Sequence, residues 1–167
     1  YLRMYELYLI DKKNGGSGNV TGSRGLDIRE VVLSRAREFE GLFDSMFKKS
    51  GITTEIDQFW GSASIPMKLY VQGENSTFST GTFTERKMPL WDAGYTVLNY
   101  VRETTKVRDL DAIGADNLRS VTSFRAPLDN APVGIASALD TVANMHANLL
   151  VASAANLDTV ISVVFPF

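Results

Sequence analysis

The sequence contains no cysteine and only one histidine, His146. Without cysteine the chain forms no disulfide, offers no thiolate ligand to a metal and has no cysteine nucleophile. A single histidine cannot supply a two-histidine zinc motif. We therefore expect no bound metal, and the enzyme classes that depend on cysteine or on histidine clusters are excluded.

Long apolar runs and an excess of positive charge are also missing. No stretch approaches the roughly 20 apolar residues that span a bilayer. Membrane contact is therefore expected only through segments outside this chain, which starts at Tyr1 rather than at Met and is interpreted as a fragment or processed product. The 17 basic and 19 acidic residues give a net charge of −2. Because nucleic-acid binding depends on neutralising phosphates, this balance predicts no nucleic-acid partner.

Glycine is concentrated between residues 15 and 25, but this stretch lacks the Gly-Lys-Ser/Thr ending of a phosphate-binding loop, and we expect no cofactor. Residues 14–18 read Asn-Gly-Gly-Ser-Gly, a composition typical of flexible coil. We interpret them as an engineered linker, with a natural surface loop as the alternative. The expected organisation is a helical segment over residues 1–13, tethered by this linker, and a single α+β domain over residues 19–167.

Apolar residues at helical spacing predict helices at both ends of the chain. Leu2, Tyr5 and Leu9 form one such stripe. A second helix is predicted from Asp27 to about Lys49, on the stripe Val32, Ala36, Phe39, Phe43 and Met46. A long third helix is predicted to start at Pro132, which follows Asn130, and to reach about residue 156. For the β-branched run 159–165, helix and strand both remain open.

From Ile65 the apolar period changes to two, since Met67, Leu69 and Val71 alternate with more polar residues. This alternation predicts a strand, with a second strand near Phe78 and Phe83. Residues 95–101 are a third candidate, for which a short helix is the alternative, and residues 118–125 are a fourth. Strands grouped between helices predict an α+β fold, in which a small antiparallel sheet is flanked by N-terminal helices and a long C-terminal helix.

Aromatic residues and the lone histidine provide the candidates for binding, while no residue is predicted to be catalytic or to ligate metal. The tyrosines pair an apolar ring with a polar tip, which suits an interface. The aromatic tract around residues 59 and 60 is typical of a core, and a partner or ligand groove is its alternative. The candidate binding residues are Tyr1, Tyr5, Tyr8, Phe59, Trp60 and His146.

These features predict a non-enzymatic interaction or ligand-sensing domain whose partner is a protein or a small molecule, with a homodimer as one arrangement. Analogy at the level of the fold favours the extracytoplasmic part of a membrane receptor. One alternative is a structural assembly subunit of a virion or appendage, with a donated N-terminal segment. The other is a hydrolase that uses carboxylates or His146.

Overall fold

Two helices lead into the sheet in the computed structural model, which describes residues 28–50, 54–72, 79–106 and 117–164. Helix α1 spans Ile28–Ser50 and helix α2 spans Thr54–Gly61. The predicted apolar stripe of α1 is confirmed, because Val32, Ala36 and Phe43 are buried and Phe39 packs against the core. The segment expected at residues 1–13 and the linker at 14–18 lie outside the described residues.

The sheet consists of strands β1, Ile65–Gln72, and β2, Ser79–Met88, which pair antiparallel. Their register places Ile65 opposite Met88 and Lys68 opposite Glu85. Ile65 and Met67 are buried, as the alternating pattern predicts. A two-stranded sheet is only marginally stable by itself, so this apolar face depends on the helices that cover it.

The alternating pattern of β1 fails at its far end, where Tyr70 is buried and Val71 is exposed. The register shifts between Tyr70 and Gln72. The hydroxyl of Tyr70 donates a hydrogen bond to the carboxylate of Asp129 on a helix that packs beside the strand. Burial of the tyrosine ring together with this bond outweighs the alternation in the sequence.

The strand expected at residues 95–101 is wrong, since this stretch lies inside helix α3, Leu90–Lys106. Its buried residues Leu90, Ala93, Val97 and Leu98 recur at helical spacing. Aromatic and β-branched residues such as Tyr95 favour a strand locally. Packing of one helical face against the core outweighs that preference, and the helical alternative for this segment is the correct one.

Apart from Val121, which forms a β-bridge, residues 117–164 are helical, so the strand expected at residues 118–125 is wrong. A 3-10 turn, Leu118–Ser120, leads into helix α4, Thr122–Asn130, a π-helical segment, Ala131–Ala136, and helix α5, Ser137–Val164. The buried residues Leu118, Val121 and Phe124 are spaced by three rather than by two. The long helix therefore starts before Pro132, and it continues as a helix through the β-branched run to Val164.

The main core joins these elements around a few large side chains. Phe43 from α1, Trp60 from α2 and Met67 from β1 meet Leu90 from α3 and Val142 from α5, and all five are buried. This arrangement confirms the α+β fold, with a small antiparallel sheet between N-terminal helices and a long C-terminal helix. Among the described helices, none has both the length and the apolarity needed to cross a lipid bilayer.

Candidate functional site

An apolar groove of about 390 Å³ lies between α1, α3 and the helical run from α4 to α5. In the part of the chain that the structure describes, all but one of its lining residues are apolar. The lining residues are Val32, Arg35, Ala36 and Phe39 from α1, Val97, Leu98 and Val101 from α3, and Pro127, Leu128, Ala131, Pro132, Ile135, Ala136 and Leu139 from the C-terminal helical run. Ligand sites have this concave and mainly apolar character.

Small side chains keep the groove open where the helices approach each other. Ala36 lies on α1, while Ala131 and Ala136 lie at the two ends of the π-helical segment. A larger apolar side chain at any of these positions would occupy part of the groove. The larger residues Phe39 and Leu139 lie beside the main core, against which both are packed. The groove is therefore continuous with the core but not filled by it.

The wall formed by residues 127–136 departs from regular α-helix. Pro127 and Pro132 have no backbone N–H, so neither can donate the hydrogen bond that an α-helix makes to the residue four positions earlier. The helix adopts π geometry over Ala131–Ala136. The π-segment also lies close to the sheet, because a Cβ at Gly134 would stand 3.2 Å from the Pro66 carbonyl oxygen. Single π-turns inside α-helices occur frequently at functional sites.

Among the described residues that line the groove, Arg35 is the only charged one. Its Nη1 donates to Glu38 Oε2 at 2.6 Å, and both side chains are about half exposed. An exposed pair of this kind contributes little to stability, on the order of 0–1 kcal/mol. Glu38 offsets the charge of Arg35, but the guanidinium still has only hydrogen-bond donors, which suit an anionic or neutral acceptor better than a cationic donor group.

Polar contacts hold α1 against α3 next to the groove. Arg102 of α3 donates to Glu40 of α1 at 2.5 Å, and both side chains are about one-third exposed. One helical turn further along α1, the hydroxyl of Tyr95 donates to Asp44 Oδ1 at 2.6 Å. This bond, followed by burial, raises the pKa of Tyr95 to about 12. Two sides of the groove are thus joined by an ion pair and a charge-assisted hydrogen bond.

A second, more polar cleft of about 170 Å³ lies where β1 meets α4. Asn130 is buried there and bonds the backbone of Lys68 twice, since its Oδ1 accepts from the Lys68 N–H at 2.7 Å and its Nδ2 donates to the Lys68 carbonyl at 2.9 Å. Asp129 accepts from the Tyr70 hydroxyl and, at 3.4 Å, from Arg125 Nε. Burial, and then the bond to Asp129, raise the pKa of Tyr70. These polar groups join the strand to the helix.

The candidate binding residues from the sequence do not come together in the described part of the chain. Tyr1, Tyr5 and Tyr8 lie outside the described residues. Trp60 is 1% exposed in the core and Phe59 is half-buried beside it. His146 is half-buried on α5, beyond the last described residue that lines the groove. A binding role for these residues stays a prediction.

In the sequence, Val32, Ala36 and Phe39 belong to the apolar stripe of α1, and nothing marks the groove residues as a binding site. Val97 and Val101 lie within a segment interpreted as a strand, and Pro132 was assigned to a helix start. Arg35 is one of several charged residues on the polar side of α1, and its sequence position gives no sign of the groove. The available signal is the pair of prolines at positions 127 and 132, only five residues apart.

The fold and the groove together define an α+β domain with an apolar cleft. Among the residues that the structure describes, no group of three or more histidine, aspartate or glutamate side chains is arranged to hold a metal ion. The described lining of the groove contains neither a carboxylate nor a hydroxyl or imidazole side chain. No protein-family model matches this chain, and it has no significant match among curated proteins or solved structures.

Proposed function

We propose that this chain is a non-enzymatic binding domain, and that a small apolar molecule carrying an anionic or neutral polar group occupies the groove between α1, α3 and the α4–α5 run. The groove itself is the observation that supports the proposal. Its volume of about 390 Å³ lies within the roughly 300–1,000 Å³ typical of ligand sites. Its lining offers apolar surface and one guanidinium, a combination suited to binding.

The ligand chemistry follows from Arg35 and its apolar surroundings. The aliphatic or aromatic part of a ligand would bury the exposed surface of Phe39, Val101 and Leu139. This burial would stabilise the complex by about 25 cal/mol for each Å² of apolar surface removed from water. A carboxylate or sulfonate at the end of such a body would lie near Arg35. The expected preference is therefore for an anionic amphiphile over its cationic analogue.

Titration with an anionic anilinonaphthalene sulfonate probe tests this function by fluorescence. Ala131→Phe places a ring in the groove, and we expect it to weaken binding at least about tenfold, a change of about 1.4 kcal/mol. Ala152→Phe adds the same ring at an exposed position of α5 outside the groove and should leave binding unchanged. Equal probe binding by the wild type and both variants would contradict the proposal.

No observation on the described residues specifically supports the other functions predicted from the sequence. The interpretation as the extracytoplasmic part of a membrane receptor rests on analogy at the level of the fold. The assembly-subunit alternative depends on the N-terminal segment, which lies outside the described residues. The hydrolase alternative uses carboxylates or His146. Among the described residues, no hydrogen bond joins His146 to a serine or carboxylate, and no carboxylate lines the groove. The groove makes ligand binding the function to test first.

A further inference from the structure

Helix α5 is covered by the rest of the described molecule on only one face and over only part of its length. Ala138 and Val142 are buried, and Met145 and Leu149 pack against the core. After Leu149 this contact ends, and every residue from 150 to 157 is exposed. The C-terminal half of α5 therefore extends beyond the body formed by the described residues.

A second apolar stripe runs along a different face of α5. It consists of Ala143, Ala147, Leu150, Ala154 and Leu157, and all five are exposed. We call these five residues the α5 stripe. Leu150 is 73% exposed and Leu157 is 62% exposed. Exposed leucines in a row, rather than singly, are unusual for a surface that faces water.

The spacing of the α5 stripe alternates between four and three residues. This is the repeat of a helix that packs lengthwise against another helix, and the sequence continues it at Ile161 and Val164. From Ala143 to Leu157 the stripe covers 15 residues, or about 22 Å of helix, which corresponds to two heptads. A seam of this length and regularity fits a helical partner better than a compact ligand.

The stripe is also nearly free of charge. No aspartate, glutamate, lysine or arginine occurs between Asp140 and Asp158, and His146 is the only titratable residue in that interval. Two such faces can approach each other without repulsion between like charges. Their association would therefore not be weakened by sodium chloride, unlike an association between charged surfaces.

We propose that the α5 stripe is the interface of a homodimer, in which two copies of α5 pack antiparallel about a two-fold axis close to residue 152. In this register, Leu150 of one copy lies opposite Ala154 of the other, and Ala147 lies opposite Leu157. Ala147 and Ala154 thus each meet a leucine, and the two-fold symmetry repeats both pairs.

This self-complementarity identifies a second copy of the chain as the partner. A parallel, in-register pair would place Ala147 and Ala154 against their own copies, and Leu150 and Leu157 against theirs. The alanine layers would then contain voids, and such voids lower the stability of the pair. The antiparallel pairing fills those voids with leucine. The interface lies beyond Leu139, the last residue that lines the groove, so this inference is independent of the proposed ligand function.

Sedimentation equilibrium of the full chain over a wide concentration range tests the dimer. We expect a reversible monomer–dimer equilibrium, which Leu150→Glu weakens by about a hundredfold or more, because the variant buries a charge in the seam. Since Leu150 is exposed in the monomer and glutamate favours helix about as well as leucine, the thermal stability of the monomer should not change. Asn148→Glu, an exposed position on another face of α5, is the matched control and should dimerise like the wild type.

Cross-linking then tests the orientation, and the absence of native cysteine makes it specific. Under mild oxidation, a mixture of the Leu150→Cys and Ala154→Cys variants should give several-fold more disulfide-linked dimer than either variant alone. Efficient cross-linking of each variant alone would indicate a parallel pair and overturn the register. A chain that stays monomeric at every concentration would overturn the homodimer. Destabilisation of a monomeric protein by Leu150→Glu would also overturn it, because the stripe would then be covered within one chain.

Discussion

The aromatic ring of Phe43 lies directly on the backbone of Gly94, where α1 crosses α3. A Cβ added at Gly94 would overlap Phe43 Cζ and would lie within 2.9 Å of two further ring atoms. The ring has little freedom to move away. It stacks on Trp91 at 5.5 Å between ring centroids, packs edge-to-face with Trp60 at 5.0 Å and is 1% exposed. The close contact of the two helices at the core therefore depends on the absence of a side chain at position 94.

Gly94→Ala should accordingly destabilise the protein although alanine is the better helix former. Overpacking of a filled core costs about 1–3 kcal/mol, and the three close ring contacts place the expected loss at the upper end of that range. Urea denaturation followed by circular dichroism measures the change in the free energy of unfolding.

Gly41→Ala is the control for the same substitution in a helix with open surroundings, because nothing lies within 4 Å of the added Cβ. It should stabilise the protein by about 0.5–1 kcal/mol, the usual difference between the two residues in a helix. A Gly94→Ala variant as stable as Gly41→Ala would show that Phe43 does not occupy that space.

Asn130 gives a second prediction, because its amide group completes the hydrogen bonding of Lys68 in β1. Asn130→Asp keeps the shape but replaces the donor with a carboxylate oxygen that faces the Lys68 carbonyl. The expected loss of stability at neutral pH is about 2–3 kcal/mol, since a buried polar group is left unsatisfied. Protonation of the new carboxyl restores the donor, so the difference from the wild type should shrink at acidic pH.

Chemical denaturation at neutral and acidic pH measures this effect. Asn144→Asp makes the same chemical change at an exposed position of α5 and should alter stability by less than about 0.5 kcal/mol. If Asn130→Asp behaves like Asn144→Asp at both pH values, the two bonds to the Lys68 backbone do not contribute as proposed.

The elements that were predicted correctly have a local periodicity that agrees with their burial. In α1, Val32, Ala36 and Phe43 recur at helical spacing and are buried, and at the start of β1 the alternation at Ile65 and Met67 matches the buried face. When the local pattern and the tertiary packing agree in this way, sequence alone is sufficient.

The errors occurred where local preference and packing disagree. Tyr95 and its β-branched neighbours favour a strand, but α3 is helical because one helical face packs on the core. Pro132 resembles a helix start, yet a π-segment accommodates it inside a longer helix. The groove could not be predicted, since it arises from the relative positions of three helices and its one charged residue, Arg35, has no distinguishing sequence context.

The ion pair between Glu40 and Arg102 provides a third prediction, about how α1 is held to α3. Because both side chains are about one-third exposed, a double-mutant cycle with alanine should give a coupling energy of about 0.5–1 kcal/mol, reduced in high salt. The cycle for Arg35 and Glu38, which are about half exposed on a single helix, should give about 0.3 kcal/mol. Equal coupling in both cycles would mean that contact between the helices adds nothing to the pair.

The hydrogen bond from Tyr95 to Asp44 predicts a loss of stability in alkali. The bond requires the protonated hydroxyl, and it raises the pKa of Tyr95 from its ordinary value near 10.0 to about 12. The folded state therefore retains this proton over a pH range in which the unfolded state releases it. The contribution to stability is complete below about pH 10 and is lost as the pH rises towards 12.

Ultraviolet titration of phenolate absorbance, compared between the wild type and Tyr95→Phe, isolates this ionisation. Tyr95→Phe should also remove this contribution to the decline of stability in alkali. Asp44→Asn removes the negative charge that holds the proton and should shift the pKa of Tyr95 back towards 10.0. Asp92→Asn, which removes an exposed carboxylate from α3, the helix that carries Tyr95, should leave this pKa unchanged. A Tyr95 pKa that is unchanged by Asp44→Asn would mean that burial, and not the hydrogen bond between α1 and α3, retains the proton.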